Sequence, residues 1–147
     1  MTEPYRILCV CLGNICRSPS AEAVLRHLLP HMQIDSAGTG GWHVGDAPYG
    51  PAAQTAKARG YDMEHMRARQ VQVEDFERFD LILAMDRQNL SDLKALAPQG
   101  HKAEIALYLG LLADSPLDVP DPYYTRDFDA ALDLIERGAQ AWAEMLP

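Results

Sequence analysis

The apolar run Tyr5-Arg6-Ile7-Leu8-Cys9-Val10 leads directly into Cys11-Leu12-Gly13-Asn14-Ile15-Cys16-Arg17-Ser18-Pro19. A short, nearly continuous apolar run suits a parallel strand covered on both faces. Gly13 and Asn14 are the residues that best tolerate left-handed backbone, so a turn follows. A helix start comes next: Ser18 can cap, Pro19 occupies the first turn where its missing N–H costs nothing, and Glu22 complements the dipole. A strand, a tight loop and a capped helix in that order open an α/β pattern, which holds if strands and helices go on alternating.

The remaining sequence continues the alternation. Ala23, Val24, His27 and Leu28 extend a helical face until Pro30, and residues 33–37 read as a second strand. A glycine-rich loop spans 38–50, and a helix is expected over 51–59 with Gly60 as its stop. Residues 71–80 carry a short helical turn, and 80–85 form the clearest buried strand after the first. A helix over 86–96, a strand over 103–109, a loop over 119–125 and a final helix from about Arg126 complete the reading. With 147 residues and no internal repeat or linker, one domain over 1–147 is expected. A chain of that size buries about 70% of its unfolded surface. Ligands of such sheets sit beyond the carboxyl ends of the strands, where the first loop falls.

The net charge of −8 argues against a nucleic-acid partner, which calls for a basic patch. An anionic ligand must then be drawn in by a local field. No leader is visible in residues 1–6 and no apolar run reaches membrane-spanning length, so no membrane association is expected. Three cysteines, all between Cys9 and Cys16, make no disulfide framework and suit a reducing cytoplasm.

The loop itself points to anion chemistry. Successive N–H groups of such a turn can face inward as a nest, with the helix N-terminus adding positive potential. Arg17, six positions after Cys11, offers a planar fork for two phosphate oxygens. The same groups would favour a thiolate at Cys11. Cys9 lies inside the strand and reads as core. The nucleotide-binding pattern ending in Gly-Lys-Ser/Thr and the three-glycine dinucleotide pattern are both missing. Cys9, Cys11, Cys16 and His27 do not have the spacing of a zinc knuckle, and neither a metal nor any other cofactor is expected.

Residues 11–19, followed by Ala21-Glu22, resemble the signature of the low-molecular-weight protein tyrosine phosphatases. The resemblance continues in family order through Asp35-Ser36-Ala37-Gly38-Thr39, Ala68-Arg69-Gln70, Met85-Asp86 and Asp121-Pro122-Tyr123-Tyr124. It implies a three-layer doubly wound domain whose four-stranded parallel sheet has the flavodoxin-like order 2-1-3-4. It implies hydrolysis of protein phosphotyrosine through a phosphocysteine, with Cys11 as nucleophile and Arg17 on the phosphate. Leu12, Gly13, Asn14, Ile15, Cys16 and Ser18 would form the phosphate loop, and Asp121 would be the general acid and base. An acid opposite the thiolate is what a phenolic leaving group requires. Asp-Pro is also a common turn starter, and composition alone does not choose among the carboxylates.

Trp42, Tyr123 and Tyr124 would form aromatic walls, and His43 lies where relatives vary and would tune which peptides are accepted. Asn14, Ser18 and Ser36 match positions that hold the loop or bond the thiolate, which gives Ser18 a second candidate role beside capping. Relatives carry a bracing histidine two residues before Ala-Arg-Gln; here that residue is Met66, with His65 displaced by one. Cys16 matches a second cysteine that guards the nucleophile by a reversible disulfide. The implied partners are a phosphotyrosine protein, such as a bacterial tyrosine kinase, and inorganic phosphate as product.

Two enzymatic alternatives share the scaffold. An arsenate reductase needs two further cysteines around residues 80–90, and none follows Cys16. A protein-arginine phosphatase typically has threonine where Ile15 stands, and an apolar Ile15 suits an aromatic ring better. A non-catalytic phosphotyrosine-binding module predicts loss of the nucleophile or the acid, and both are present.

Overall fold

A computed structural model describes residues 4–147; the reading of a missing leader rests partly on residues outside that range. Strand β1 (Arg6–Cys11) sits inside the sheet because both its faces are apolar. Ile7, Cys9 and Cys11 point into one core, and Leu8 and Val10 into the other. The first core is closed by α1 (Arg17–Leu28) and α6 (Phe128–Met145), through Val24, Leu25, Leu132, Ile135 and Trp142. The second is closed by α3 (Asp75–Arg78) and α4 (Arg87–Leu96), through Phe76 and Leu93.

Strands β2 (Gln33–Gly38), β3 (Leu81–Ala84) and β4 (Glu104–Leu107) complete a parallel sheet of order β2-β1-β3-β4. Helices on both faces make three layers, the doubly wound architecture and strand order expected from the sequence. The order places the carboxyl end of β1 between those of β2 and β3, the switch point at which such sheets bind ligands. Helix α2 (Gly50–Ala58) packs against α1 and α6. The described residues include no helix long and apolar enough to cross a membrane.

Boundaries differ where side chains compete with the ladder. The fourth strand stops at Leu107, because Gly110 N–H turns back to the Leu107 carbonyl. Tyr108 then buries its ring against Gly138 and donates its hydroxyl to the Ile135 carbonyl at 2.7 Å. Trp142 returns the bond from Nε1 to the Tyr108 carbonyl at 2.8 Å, so α6 is fixed to the sheet by two satisfied polar groups. The 119–125 segment, expected as loop, contains a single helical turn, α5 (Pro122–Thr125), capped by Asp121. The last helix starts at Phe128 and not at Arg126, because Arg126 takes a left-handed φ of 62° and Asp127 supplies the cap.

Candidate active site

Cys11 ends β1, and its sulfur lies on the floor of a cleft of about 300 Å³ with only 3% of the residue exposed. The chain reverses around it because Asn14 adopts φ 59°, which asparagine tolerates better than most residues. That turn aims the Asn14 N–H at Cys11 Sγ, 3.3 Å away. The Ser18 hydroxyl lies 3.0 Å from the same sulfur and accepts from Asn14 Nδ2 at 2.8 Å. Ser18 therefore bonds the Cys11 sulfur. Its expected capping role is not realised: the cap position of α1 is Cys16, which makes no side-chain bond.

The loop is held by backbone bonds from three segments. Thr39 and Gly40 N–H groups donate to the carbonyls of Cys11 and Leu12, both at 2.9 Å, and Tyr49 N–H donates to the Ile15 carbonyl at 2.8 Å. Gly38 lies so close that a Cβ there would sit 2.7 Å from the Leu12 carbonyl oxygen. Asn14 Oδ1 accepts from the Arg69 N–H at 3.0 Å. The brace at Asn14 is thus a backbone amide. His65 points away, 3.3 Å from an Arg26 nitrogen, and Met66 packs among Ala23, Ala56 and Met63.

Arg69 is itself anchored by ion pairs to the fully buried Asp75 and to Asp35. Ser36 does not reach the loop either. Its hydroxyl donates to Glu22 Oε1 at 2.6 Å, so any support passes through α1. Burial pushes the Glu22 carboxyl above its usual range, and the Ser36 bond and the Arg26 ion pair only partly offset this.

Arg17 is 4% exposed. Its Nη1 donates to Asp86 Oδ2 at 2.7 Å and to the Val119 carbonyl at 3.0 Å, and its Nη2 lies 3.6 Å from Asp121 Oδ2. Burial alone would lower the guanidinium's pKa; Cys11, Asp86 and Asp121 outweigh it and raise it. Asp121 Oδ1 accepts the Tyr123 N–H at 3.1 Å, so the residue is both the turn starter and a second carboxylate beside the arginine, after Asp86. Cys16 lines the same cleft, and its thiol is pushed up to about 12, first by burial and then by Cys11. All three cysteines are free.

Leu12, Gly13, Ile15, Trp42, His43, Tyr123 and Tyr124 complete the cleft. Trp42 and Tyr124 are each 74% exposed. The Trp42 indole rests on Gly40, where any side chain would collide with it. His43 lies against Gly13 and bonds Asp46 through Nδ1 at 3.1 Å. Every residue expected at the site except Ser36 lines the cleft or bonds a residue that does.

Asp86, the Val119 carbonyl, the Arg69 amide and Tyr49 were not singled out from sequence. Of these, Arg69 and Asp86 lie in the motifs Ala68-Arg69-Gln70 and Met85-Asp86, and Asp86 is also a carboxylate between a buried strand and a helix.

A thiol that accepts the Asn14 N–H, with a buried arginine and a carboxylate on the same cleft, suits covalent transfer from an oxyanion ester. The model of the low molecular weight phosphotyrosine protein phosphatase family matches residues 6–147. The protein-tyrosine-phosphatase YfkJ of Bacillus subtilis is 42% identical over 141 residues, covering 91% of this chain and 90% of that relative. The crystal structure of YfkJ superposes with a TM-score of 0.91 at 38% identity, covering 98% of this chain and 95% of that one. Vibrio vulnificus Wzb, solved in complex with benzylphosphonate, superposes with a TM-score of 0.89 at 34% identity, covering 98% and 100%. The chain belongs to the low molecular weight phosphotyrosine protein phosphatase family.

Proposed function

We propose that the protein hydrolyses phosphotyrosine in proteins, and small aryl phosphates, through a phosphocysteine. The observation that carries this reading is the placement of Cys11 Sγ under the Asn14 N–H and the Ser18 hydroxyl, with Arg17 and Asp121 on the same cleft. Cys11 attacks phosphorus, an S–P bond forms and the aryl P–O bond breaks. Asp121 gives its proton to the departing phenolate oxygen. Water then attacks the phosphocysteine and gives a proton to Asp121; the P–S bond breaks, releasing inorganic phosphate and the thiolate. Arg17 and the loop N–H groups hold the equatorial oxygens throughout, so rate enhancement rests on positioning and preorganised charge. The exposed rings of Trp42, Tyr123 and Tyr124 suit a planar aryl group above a phosphate, and benzylphosphonate bound to a relative has that form.

The decisive measurement is turnover of p-nitrophenyl phosphate by wild type, Cys11→Ser and Asp121→Asn. Loss of general acid–base help should reduce the rate about 100-fold in Asp121→Asn, and Cys11→Ser should show no turnover. An inactive wild type or a fully active Cys11→Ser overturns the reading. The protein substrate is a phosphotyrosine protein, a bacterial tyrosine kinase among the candidates, and the cytoplasm is the compartment that keeps these thiols reduced. Trapping on Cys11→Ser, with release by vanadate, identifies the substrate.

A further inference from the structure

Arg126 is an exposed arginine between α5 and α6, in the left-handed conformation at φ 62° that side chains other than glycine and asparagine rarely adopt. Its guanidinium lies 5.4 Å from the ring centre of Tyr49 and 5.4 Å from that of Phe128. Nη1 donates to the Tyr49 hydroxyl at 2.9 Å and to the Tyr123 carbonyl at 3.4 Å. The Tyr49 ring also meets that of Tyr123, with centroids 5.3 Å apart, while the Tyr49 N–H holds the Ile15 carbonyl of the phosphate loop. Tyr49 therefore touches the nucleophile's loop at one end and, through Arg126 and Tyr123, the turn bearing Asp121 at the other.

We infer that Arg126 is a positioning residue that latches the Asp121 turn to Tyr49 and thereby sets the height of the acid over Cys11. The inference rests on the proposed role of Asp121 as acid. By hydrogen bonds to the rest of the fold, residues 119–126 are tied at two points, with Pro122 buried between them. The Val119 carbonyl accepts from Arg17 and its N–H donates to the Met85 carbonyl, and the far end is tied by Arg126 to Tyr49. Between these points the Asp121 side chain bonds only the Tyr123 N–H and approaches Arg17 at 3.6 Å. Releasing the far tie leaves the floor of the cleft intact and frees the acid to move. The strained backbone at Arg126 fits this role, because the reversal it makes brings the guanidinium back over Tyr49.

Leaving-group dependence tests the latch. Phenolate is a stronger base than p-nitrophenolate and depends far more on a proton from the acid. kcat/KM for phenyl phosphate and for p-nitrophenyl phosphate is measured in wild type, Arg126→Asn, Tyr49→Phe and Asp121→Asn. Asparagine tolerates the left-handed backbone, and Tyr49→Phe removes only the accepting hydroxyl, so both variants keep the fold. The expected result is a loss on phenyl phosphate about tenfold larger than on p-nitrophenyl phosphate in Arg126→Asn, with the same direction in Tyr49→Phe. In an Asp121→Asn background, Arg126→Asn should add no selective loss. Equal losses on both esters, or none, in Arg126→Asn alongside a selective loss in Asp121→Asn overturn the latch and leave the acid in place. If Asp121→Asn shows no selective loss, the acid assignment falls and the latch with it.

Discussion

Arg17 and Asp86 meet at 2.7 Å across 69 residues of sequence, joining the first turn of α1 to the cap of α4. The Asp86 carboxylate has two tasks: Oδ2 takes the guanidinium, and Oδ1 accepts the Asn89 N–H at 2.7 Å. Catalysis and helix stability are thus joined in one side chain, and two substitutions separate them. Asp86→Asn keeps an acceptor for the cap but removes the charge that orients Arg17, so kcat/KM should fall at least about tenfold with a modest stability change. Asp86→Ala should lose the cap as well, costing about 1 kcal/mol more. Urea midpoints and aryl phosphate turnover, measured side by side, check both halves. Equal urea midpoints for the two variants would contradict the division.

Alkylation should distinguish the cysteines. The thiolate is the reactive form, and Cys16, with its thiol pushed up to about 12 by burial and by Cys11, stays protonated near neutrality. Burial also pushes the Cys9 thiol well above its ordinary value. Iodoacetamide at pH 7 should modify Cys11 alone, and peptide mapping should show Cys16 labelled only as pH rises toward its own value.

The same protonation governs oxidation. The proposed guard role of Cys16 predicts that peroxide oxidises Cys11 to the sulfenic acid and that attack by the Cys16 sulfur forms the disulfide and releases the oxygen as water. Recovery of activity under added thiol should be complete in wild type and incomplete in Cys16→Ala. Disulfide formation should accelerate with pH, because the thiolate fraction of Cys16 grows. Equal recovery in the two proteins removes the protective role.

Gly38→Ala should be far more damaging than an ordinary strand substitution. Its Cβ would sit 2.7 Å from the Leu12 carbonyl oxygen, a backbone atom that cannot swing away. A loss of about 1–3 kcal/mol is expected from overpacking. A fall in kcat should accompany it, because Leu12 belongs to the loop around the nucleophile. Differential scanning calorimetry with steady-state kinetics reads both.

Acid stability should depend on Asp80, at the opposite end of β3. Partial burial raises its carboxyl, but the Arg6 N–H bond at 2.9 Å and Lys102 outweigh this and bring it below the ordinary value of 3.8. Its contribution is therefore fully present above the unfolded value and lost as pH falls through the lowered folded one. Wild type should exceed Asp80→Asn in urea midpoint at pH 7, and the difference should close below pH 3.8.

The layers and the loop were legible in the chain because they depend on local pattern. The apolar run before Cys11 has only one comfortable place in a sheet, and Gly13-Asn14 followed by Pro19 dictates a turn into a helix. Legibility stopped where a partner comes from far along the chain. Ser18 looked like a cap because capping is a local rule, whereas its bond to Cys11 depends on how the loop closes. The resemblance points to side chains at 65 and 66 for the Asn14 brace, but the backbone amide that makes it has no sequence signature. Arg126 fell inside the expected last helix because its left-handed backbone is stabilised by Tyr49, 77 positions earlier.

The glycine under Trp42 has a consequence for how such a protein can diversify. The Gly40 N–H is spent on the phosphate loop, while the indole lies on its bare α-carbon in open solvent. The ring thus sits on the chemistry's foundation without being part of it. A lineage can exchange the ring for another residue and sample new phosphoprotein clients, while the bonds around the thiol go unread by that change. Exchanging the ring leaves the Gly40 bond to the Leu12 carbonyl in place, whereas a side chain on the glycine beneath it would collide with the indole.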